Sequence, residues 1–173
     1  GEYMHKIQKR NNMLTAFVHF SPGDEKPKLQ SGNWIIKDVT VENVDHFYMY
    51  NYDNGLWQTG QPTTSVSFKK IEAKGILNAF YISGDTGRLF NMNLIDCKFS
   101  FRDVSEYGGE SFEGAKLASA DFFHAKNFNQ ISLINVDLSK KNSPIILSCE
   151  SGNMIALKRV RFNSGSFLTP YIF

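Results

Sequence analysis

The sequence contains little cysteine, little proline and almost no excess of charge of one sign. Its 173 residues include two cysteines and five prolines, and the net charge at pH 7 is +2. Two cysteines are too few for the dense disulfide framework of a small secreted scaffold. The small net charge, with no basic stripe interleaved with aromatic residues, argues against a nucleic-acid partner.

Long apolar runs and metal-ligand spacings are missing as well. No stretch reaches the roughly 18 apolar residues that a membrane-spanning helix needs, so we expect no membrane span. The four histidines share no ligand spacing, and the chain has neither a phosphate-binding loop nor a nucleophile motif. We therefore expect no metal site and no cofactor.

The most informative feature that the sequence does have is one apolar spacing that occurs five times. Trp34, Ile36, Val39 and Val41 lie at offsets 0, 2, 5 and 7 from the start of the first copy. Steps of two residues indicate β-strands, because alternate side chains of a strand share a face. The step of three reverses that alternation, so a bend must separate two short strands if all four side chains face one core. The later copies of the spacing start at Val66, Met92, Ile131 and Ile155.

The residue at offset 4 is predicted to form the bend in each copy. Aspartate and asparagine tolerate left-handed backbone conformations, and three of the five residues are of these types. The five predicted bend residues are Asp38, Lys70, Asp96, Asn135 and Arg159.

A third apolar run follows the spacing in several copies. The runs cover 46–50, 78–83 and 143–148, and they are rich in the aromatic and β-branched residues that favour strands. Ile82 and Leu147 each lie nine residues beyond offset 7 of their copies, so we align them as equivalent positions. Each copy is therefore predicted to contain three short strands.

Repeats of this kind predict a solenoid, in which each copy buries its apolar face against its neighbours. A leucine-rich repeat would need a fairly constant period and a helix or tight turn after each strand. Here the copies start 24 to 39 residues apart, and no segment after the strands has the apolar period of a helix. We therefore predict an all-β chain that forms a right-handed parallel β-helix of about five coils.

The coil positions divide the chain into a short cap and one β-helix. We expect residues 1–33 to form an N-terminal cap with a first strand at 13–20, and residues 34–173 to form the β-helix, as a single domain overall. Two loops are expected to swell out of the coils, at 51–60 and at about 102–130. The two cysteines, Cys97 and Cys149, belong to different coil positions, so we expect two buried thiols and no disulfide.

Three phrases of the sequence carry a family resemblance: those at 39–44, 68–73 and 78–82. They resemble the later coils of polygalacturonase-like glycoside hydrolases (family 28) and of their relatives with the pectate-lyase fold. The resemblance covers 34–101 well and 130–163 as generic coils. It implies a right-handed β-helix, a polysaccharide or oligosaccharide partner, and a secreted, periplasmic or cell-surface location.

The catalytic motifs of that family are not found in this sequence. The family uses Asn-x-Asp, Asp-Asp, Gly-His-Gly and Arg-x-Lys motifs, and the last three do not occur here. Asn43-Val44-Asp45 and Asn135-Val136-Asp137 match the first motif by letter only, because they flank a coil strand or occupy a bend. We therefore carry over no catalytic residue from the family. The resemblance implies that the chain corresponds only to the downstream coils of such an enzyme. We expect a truncated or noncatalytic relative without polygalacturonase activity.

Two acidic residues that precede turn glycines are the weak catalytic candidates. Asp53 and Asp85 each follow a third strand and stand two residues before a glycine, as does Glu150. Stacked strands lie about 4.8 Å apart, and glycosidases use two carboxylates about 5–9.5 Å apart, so Asp53 and Asp85 would suit such a pair. The alternative is that Asp-x-Gly serves only a tight turn.

The first swollen loop and the turn below it form the predicted carbohydrate-binding wall. Aromatic rings beside polar groups suit the faces of sugars, although rings also pack a loop onto its coil. Tyr48 and Tyr50 lie at the start of this loop. For them too, both sugar binding and packing of the loop onto its coil stay open. The residues of the predicted wall are Tyr52, Asp53, Asn54, Trp57, Asp85 and Arg88.

Three functions remain open at this point. The first is a glycoside-hydrolase-like β-helix that acts on or binds polysaccharide. The second is a noncatalytic carbohydrate-binding or adhesin-like solenoid. The third is a structural β-helix segment, for which self-association through the open β-helix end is expected, because an uncovered end exposes unpaired backbone groups.

Overall fold

The computed structural model describes residues 15–19, 32–44, 46–50, 64–76, 78–84, 89–101, 123–140, 147–162 and 171–172. Within these residues the protein is all-β, with ten strands and no helix. The strands are β1 (Thr15–His19), β2 (Asn33–Glu42), β3 (His46–Tyr50), β4 (Ser65–Ile76), β5 (Asn78–Ser83), β6 (Phe90–Phe101), β7 (Phe123–Lys140), β8 (Leu147–Lys158), β9 (Arg161–Phe162) and β10 (Tyr171–Ile172).

The strands form two rows in which all pairings are parallel. The long row contains β2, β4, β6, the second part of β7, and then the second part of β8 together with β9. The short row contains β1, β3, β5, the first part of β7, the first part of β8, and β10. Within each row, every strand pairs with the next member along the chain. This order places equivalent positions of successive repeats side by side.

The predicted bends are confirmed at all five offset-4 residues. Asp38, Lys70, Asp96, Asn135 and Arg159 have φ between 52° and 56°, in the left-handed region. A single left-handed residue reverses the alternation of side chains, so the residues on both sides of the bend face the same core. Lysine and arginine occupy two of these positions, although neither residue type favours this conformation.

The apolar positions stack between strands and are buried in the middle of the long row. Val39 is the register partner of Ile71, and Cys97 is the register partner of Val136. Ile71 is 2% exposed and Val136 is 1% exposed, whereas Val39 at the edge is only partly buried. Burial of an aliphatic side chain contributes roughly 1.5–3 kcal/mol, so these stacked positions are a main source of stability.

Aromatic rings fill the space between the two rows. The ring of Phe47 on β3 meets Phe68 on β4 at a centroid distance of 5.1 Å and Phe99 on β6 at 5.8 Å. Phe80 on β5 lies 5.6 Å from both Phe68 and Phe99. These edge-to-face contacts suit the positive edges and negative faces of the rings. They join the short row to the long row.

Tyr48 and Tyr50 belong to this core and not to a sugar-binding face. Both are almost fully buried, and the ring of Tyr48 lies 5.0 Å from that of Phe68. Burial raises the pKa of the Tyr48 phenol, and the neighbouring Tyr50 raises it further. The carbohydrate-binding interpretation is therefore wrong for these two tyrosines.

Polar side chains form a second stack, here called the asparagine ladder, which consists of Asn91, Asn129 and Asn153. The Asn129 amide donates a hydrogen bond of 2.8 Å to Asn91, and the Asn153 amide donates one of 3.1 Å to Asn129. At the start of β2, the Asn33 side-chain amide oxygen accepts a hydrogen bond of 2.6 Å from the Ser65 hydroxyl. These bonds hold the repeats in register.

The predicted third strands are right in two repeats and need correction in the next two. The runs at 46–50 and 78–83 are β3 and β5, as predicted. The second swollen loop was predicted to extend to about residue 130, but β7 begins at Phe123, so that end of the loop was wrong. In the fourth repeat, 147–148 begins β8, while the rest of the predicted run lies outside the described residues.

The alignment of the third strands was also wrong by two residues. Ile82 pairs with Ala125, which pairs with Cys149, so Leu147 is not equivalent to Ile82. Glu150 therefore pairs with Lys126 and is not the counterpart of Asp85. The error arose because the connection from offset 7 to the third strand is two residues longer in the fourth repeat, with eleven residues from Leu138 to Cys149 against nine from Ala73 to Ile82.

Three further expectations concern the first strand, the two cysteines and the first swollen loop. Strand β1 lies within the segment predicted for a first strand, and its neighbour is β3. Both cysteines are free thiols, but only Cys97 is buried, since Cys149 is half-buried. The first swollen loop at 51–60 lies outside the described residues.

Candidate binding groove

The predicted carbohydrate-binding wall lies outside the described residues. This holds for both stacking aromatics and for every polar member, including the weak catalytic pair Asp53 and Asp85. The wall stays a prediction, and its residues are Tyr52, Asp53, Asn54, Trp57, Asp85 and Arg88.

A groove of about 240 Å³ crosses the bends of the last three repeats of the long row. It follows from the backbone, because the left-handed residues at offset 4 turn each strand at the same place and the turns stack. The groove is lined by residues at offsets 4, 5 and 6 of these repeats: Asp96, Cys97, Lys98, Asn135, Val136, Asp137, Arg159 and Arg161.

The groove is polar and carries a small positive charge. Its three cationic side chains outnumber its two carboxylates by one, which gives a net charge of +1. The Asn135 amide donates a hydrogen bond of 2.5 Å to Asp96, which fixes the two bend side chains relative to each other. The cations lie toward one end, because Arg159 and Arg161 both belong to the last repeat.

Charges alternate in sign along the offset-6 positions, which form one side of the groove. Lys98 lies between Glu72 and Asp137 in the strand register, and Arg161 follows as the partner of Asp137. The Lys98 ammonium lies 3.6 Å from the Glu72 carboxylate. Both side chains are about half exposed, so this pair contributes little to stability and remains accessible to a ligand.

The thiol at the floor of the groove is not a reactive nucleophile. Cys97 is buried, and its Sγ donates a hydrogen bond to the Ile95 carbonyl oxygen over 3.3 Å. Burial is the main cause that raises the pKa of this thiol above its ordinary value of 9.0, so the protonated form is favoured. Its role is therefore packing beneath the polar surface.

The position of basic residues in the sequence does not by itself single out this groove. Lys158, Arg159 and Arg161 are adjacent in sequence, and adjacency alone does not distinguish a site from a hydrated face. The useful signal was the repeat itself, because equivalent offsets become neighbours when strands stack in parallel. Comparing offsets 4 and 6 across the five repeats would have gathered the groove residues.

Neither a metal-binding cluster nor a membrane-spanning helix is found among the described residues. No three or more histidine, cysteine, aspartate or glutamate side chains within these ranges gather into a group that could hold a metal ion. Among the same residues, no helix has the length and apolar character needed to cross a bilayer.

Comparison with other proteins gives no further assignment. The chain matches no known protein family, no curated protein sequence and no solved structure.

Proposed function

We propose that this protein binds an extended acidic polysaccharide, without cleaving it, along the groove at the stacked bends. The observation that carries the proposal is the set of three cationic side chains that line the groove, Lys98 on one side and Arg159 with Arg161 toward one end. Stacked strands repeat about every 4.8 Å, so the groove offers charged and amide groups along a line, as a linear polymer requires. Arginine is well suited to the carboxylates of such a polymer, because its guanidinium group binds them in a bidentate manner.

The proposed architecture is the right-handed parallel β-helix predicted from the repeats. The parallel order of both rows and the left-handed bend in every repeat support it. The resemblance to the later coils of polygalacturonase-like enzymes belongs to the same proposal. In that context the protein is a noncatalytic relative, located outside the cytoplasm, and galacturonate polymers are the first ligand to test.

The sequence and the groove both support binding over cleavage. The Asp-Asp, Gly-His-Gly and Arg-x-Lys motifs of the enzymes are missing from the sequence. In the groove, Asp96 accepts a hydrogen bond from Asn135, and Lys98 and Arg161 are the register partners of Asp137. Hydrolysis of a glycosidic bond needs a general acid and a second carboxylate across the bond, and no such pair is assigned here. Release of reducing ends from polygalacturonate above a heat-inactivated control would contradict this part of the proposal.

The binding test titrates the protein with oligogalacturonides and with a neutral glucan by calorimetry. We expect binding of the acidic oligosaccharide alone, and we expect it to weaken as salt is added. Lys98→Gln should raise the Kd by about tenfold, in line with the loss of one charge-assisted hydrogen bond.

Lys126→Gln is the matched control. Lys126 also pairs with a glutamate, Glu150, over 3.4 Å, and its side chain is 44% exposed against 55% for Lys98. It lies on the short row, away from the groove, so the Kd should not change. Equal weakening by both substitutions, or no binding of any acidic oligosaccharide, would overturn the proposal. If Trp57→Ala weakened binding and Lys98→Gln did not, the site would be the predicted wall instead.

A further inference from the structure

We infer that two copies of this chain associate head to tail through the two edges of the long row. The head edge is β2, and the tail edge is the second part of β8 (152–158) together with β9. At the tail edge this contact shares Arg159 and Arg161 with the groove, whereas its head edge lies outside the groove.

Both edges are strands with one neighbour in the long row. Among the described strands, β2 pairs only with β4, and the tail part of β8 pairs only with β7. An edge strand offers its outer N–H and C=O groups to any strand of matching direction. Because all pairings in the row are parallel, a second copy in the same orientation can add its head edge to the tail edge of the first.

The apolar positions are exposed at the two edges and nowhere else among the described long-row strands. On the tail edge, Leu157 is 41% exposed, although its register partner Leu133 is fully buried. On the head edge, Trp34 is 48% exposed, while its register partner Val66 is 1% exposed. Stacking tail on head places Leu157 over Ile36, which continues the offset-2 positions of the row and removes this surface from water.

Charge complementarity indicates that the partner bound at each edge is a second copy of this chain. The tail edge presents Arg159 and Arg161, and the head edge presents Asp38 and Glu42, all of them exposed. Continuing the register by one strand places Arg159 beside Asp38, since both occupy offset 4. Arg161 would lie beside Thr40, two residues before Glu42, which is exposed and also pairs with Lys74 over 3.3 Å within its own chain. Opposite charges at offset 4, which Asp38 and Lys70 already show inside the chain, would then also meet between chains.

The same register contains one unfavourable pair, and the row already tolerates it. Lys158 would lie beside Lys37, because both occupy offset 3. Within one chain, Lys37 is already the register partner of Lys69. Exposed like charges of this kind cost little in water, so this pair does not oppose the contact.

A head-to-tail contact of this kind joins two different surfaces, so it does not close into a symmetric dimer. Heterologous contacts without a closing rotation produce open chains of subunits. The expected behaviour is therefore a concentration-dependent series of dimers and higher species, and not a single dimer.

The experiment measures the mass of the 173-residue chain by sedimentation velocity over a range of concentrations. The head variant Asp38→Lys with Glu42→Lys and the tail variant Arg159→Glu with Arg161→Glu should each shift the association at least tenfold toward monomer, because each places like charges across the contact. An equimolar mixture of the two variants should associate again, because the opposite charges are restored. Lys98→Glu, a charge reversal in the middle of the row, should leave association unchanged.

Several outcomes would overturn the inference. These are a wild-type protein that stays monomeric at the highest concentration reached, variants that associate like the wild type, and a mixture that remains monomeric. Melting temperatures show whether each variant is folded, and Leu157→Lys provides a second tail variant that keeps the native bend at Arg159. The head variant lies outside the groove and should still bind oligogalacturonides, so failure of this inference and failure of the proposed function can be told apart.

Discussion

The middle and the edges of the long row have the same apolar spacing but very different burial. On β4, Val66, Phe68 and Ile71 are at most 2% exposed, whereas the equivalent residues of β2 are partly buried or exposed. The tail edge resembles β2, since Met154 and Leu157 are at least 41% exposed.

The difference shows that the spacing determines which way a side chain points, while the neighbouring strand determines whether it is buried. A strand in the middle is covered on both sides by equivalent residues, and an edge strand only on one. Stability in such a stack depends on contacts between adjacent repeats, as in other repeat proteins. The following predictions test how far this contrast extends.

The largest expected effect is a charge introduced into the middle of the row. Val136→Asp should reduce the free energy of unfolding by more than about 4 kcal/mol, because it places a carboxylate where no water or partner is available. Val39→Asp at the head edge should cost about 1–2 kcal/mol, since water reaches that side chain. Lys140→Asp should have little effect. Urea denaturation followed by circular dichroism measures all three, and equal losses at Val136 and Val39 would contradict the contrast.

The second prediction tests how tightly the tail edge packs on the middle. A Cβ added at Gly152 would collide with the ring of Phe128, so Gly152→Ala should destabilise the protein by about 1–3 kcal/mol. Gly32→Ala is the control at the head edge, where no atom lies within 4 Å and the cost comes only from a φ of +88°. That cost is about 1–2 kcal/mol. If Gly152→Ala melts at the wild-type temperature, β8 is more loosely attached than the structure indicates.

The third prediction concerns the bends, where middle and edge should behave alike. Lys70→Asn in the middle and Arg159→Asn at the tail should each stabilise the protein by about 0.5 kcal/mol, because asparagine tolerates left-handed φ better than either residue. Lys37→Asn, one residue before a bend, should bring no gain. A thermal melt of each variant provides the measurement. A gain at Lys70 alone would mean that the strain of a bend also depends on its neighbours.

The smallest effect concerns the two thiols. In the folded protein Cys149 should react with a thiol reagent at pH 8, whereas Cys97 should react only after unfolding, because it is buried. In a Cys149→Ser variant Cys97 is the remaining thiol, so its labelling rate can be measured alone. Rapid labelling of that variant in the folded state would show that the middle of the row opens readily.

Cys97 also predicts a pH dependence. Its pKa is raised above 9.0 in the folded state, so the protonated thiol stabilises the fold below about pH 9. That contribution is lost as the pH rises through the folded-state pKa. Cys97→Ala should therefore show a smaller loss of stability between pH 9 and 11 than the wild type.

The strands and bends of the long row could be predicted from the sequence because their signal is local. Offsets of two residues report which side chains share a face, and a step of three reports a reversal. This reasoning identified even Lys70 and Arg159 as bends, where residue type alone would not. The signal failed at the corner at Asn127, because one left-handed residue joins two strands there without the glycine or proline that marks a loop.

The groove and the exposed edges were harder to predict because they depend on which strands become neighbours. Asp96, Asn135 and Arg159 are far apart in sequence, and only the parallel register brings them together. The predicted wall was chosen for its aromatic content, and it remains to be tested. The aromatics that can be checked, Tyr48 and Tyr50, are part of the core.

The order of the strands also has a consequence for synthesis on the ribosome. The hydrogen bonds of the asparagine ladder join residues 24 and 38 positions apart, and a side-chain bond from Asn127 to Gly84 spans 43. Each new repeat can therefore pair with the one made just before it, without waiting for the end of the chain. The growing polypeptide always exposes the edge strand of its newest repeat near the ribosome. The next repeat then pairs with that strand.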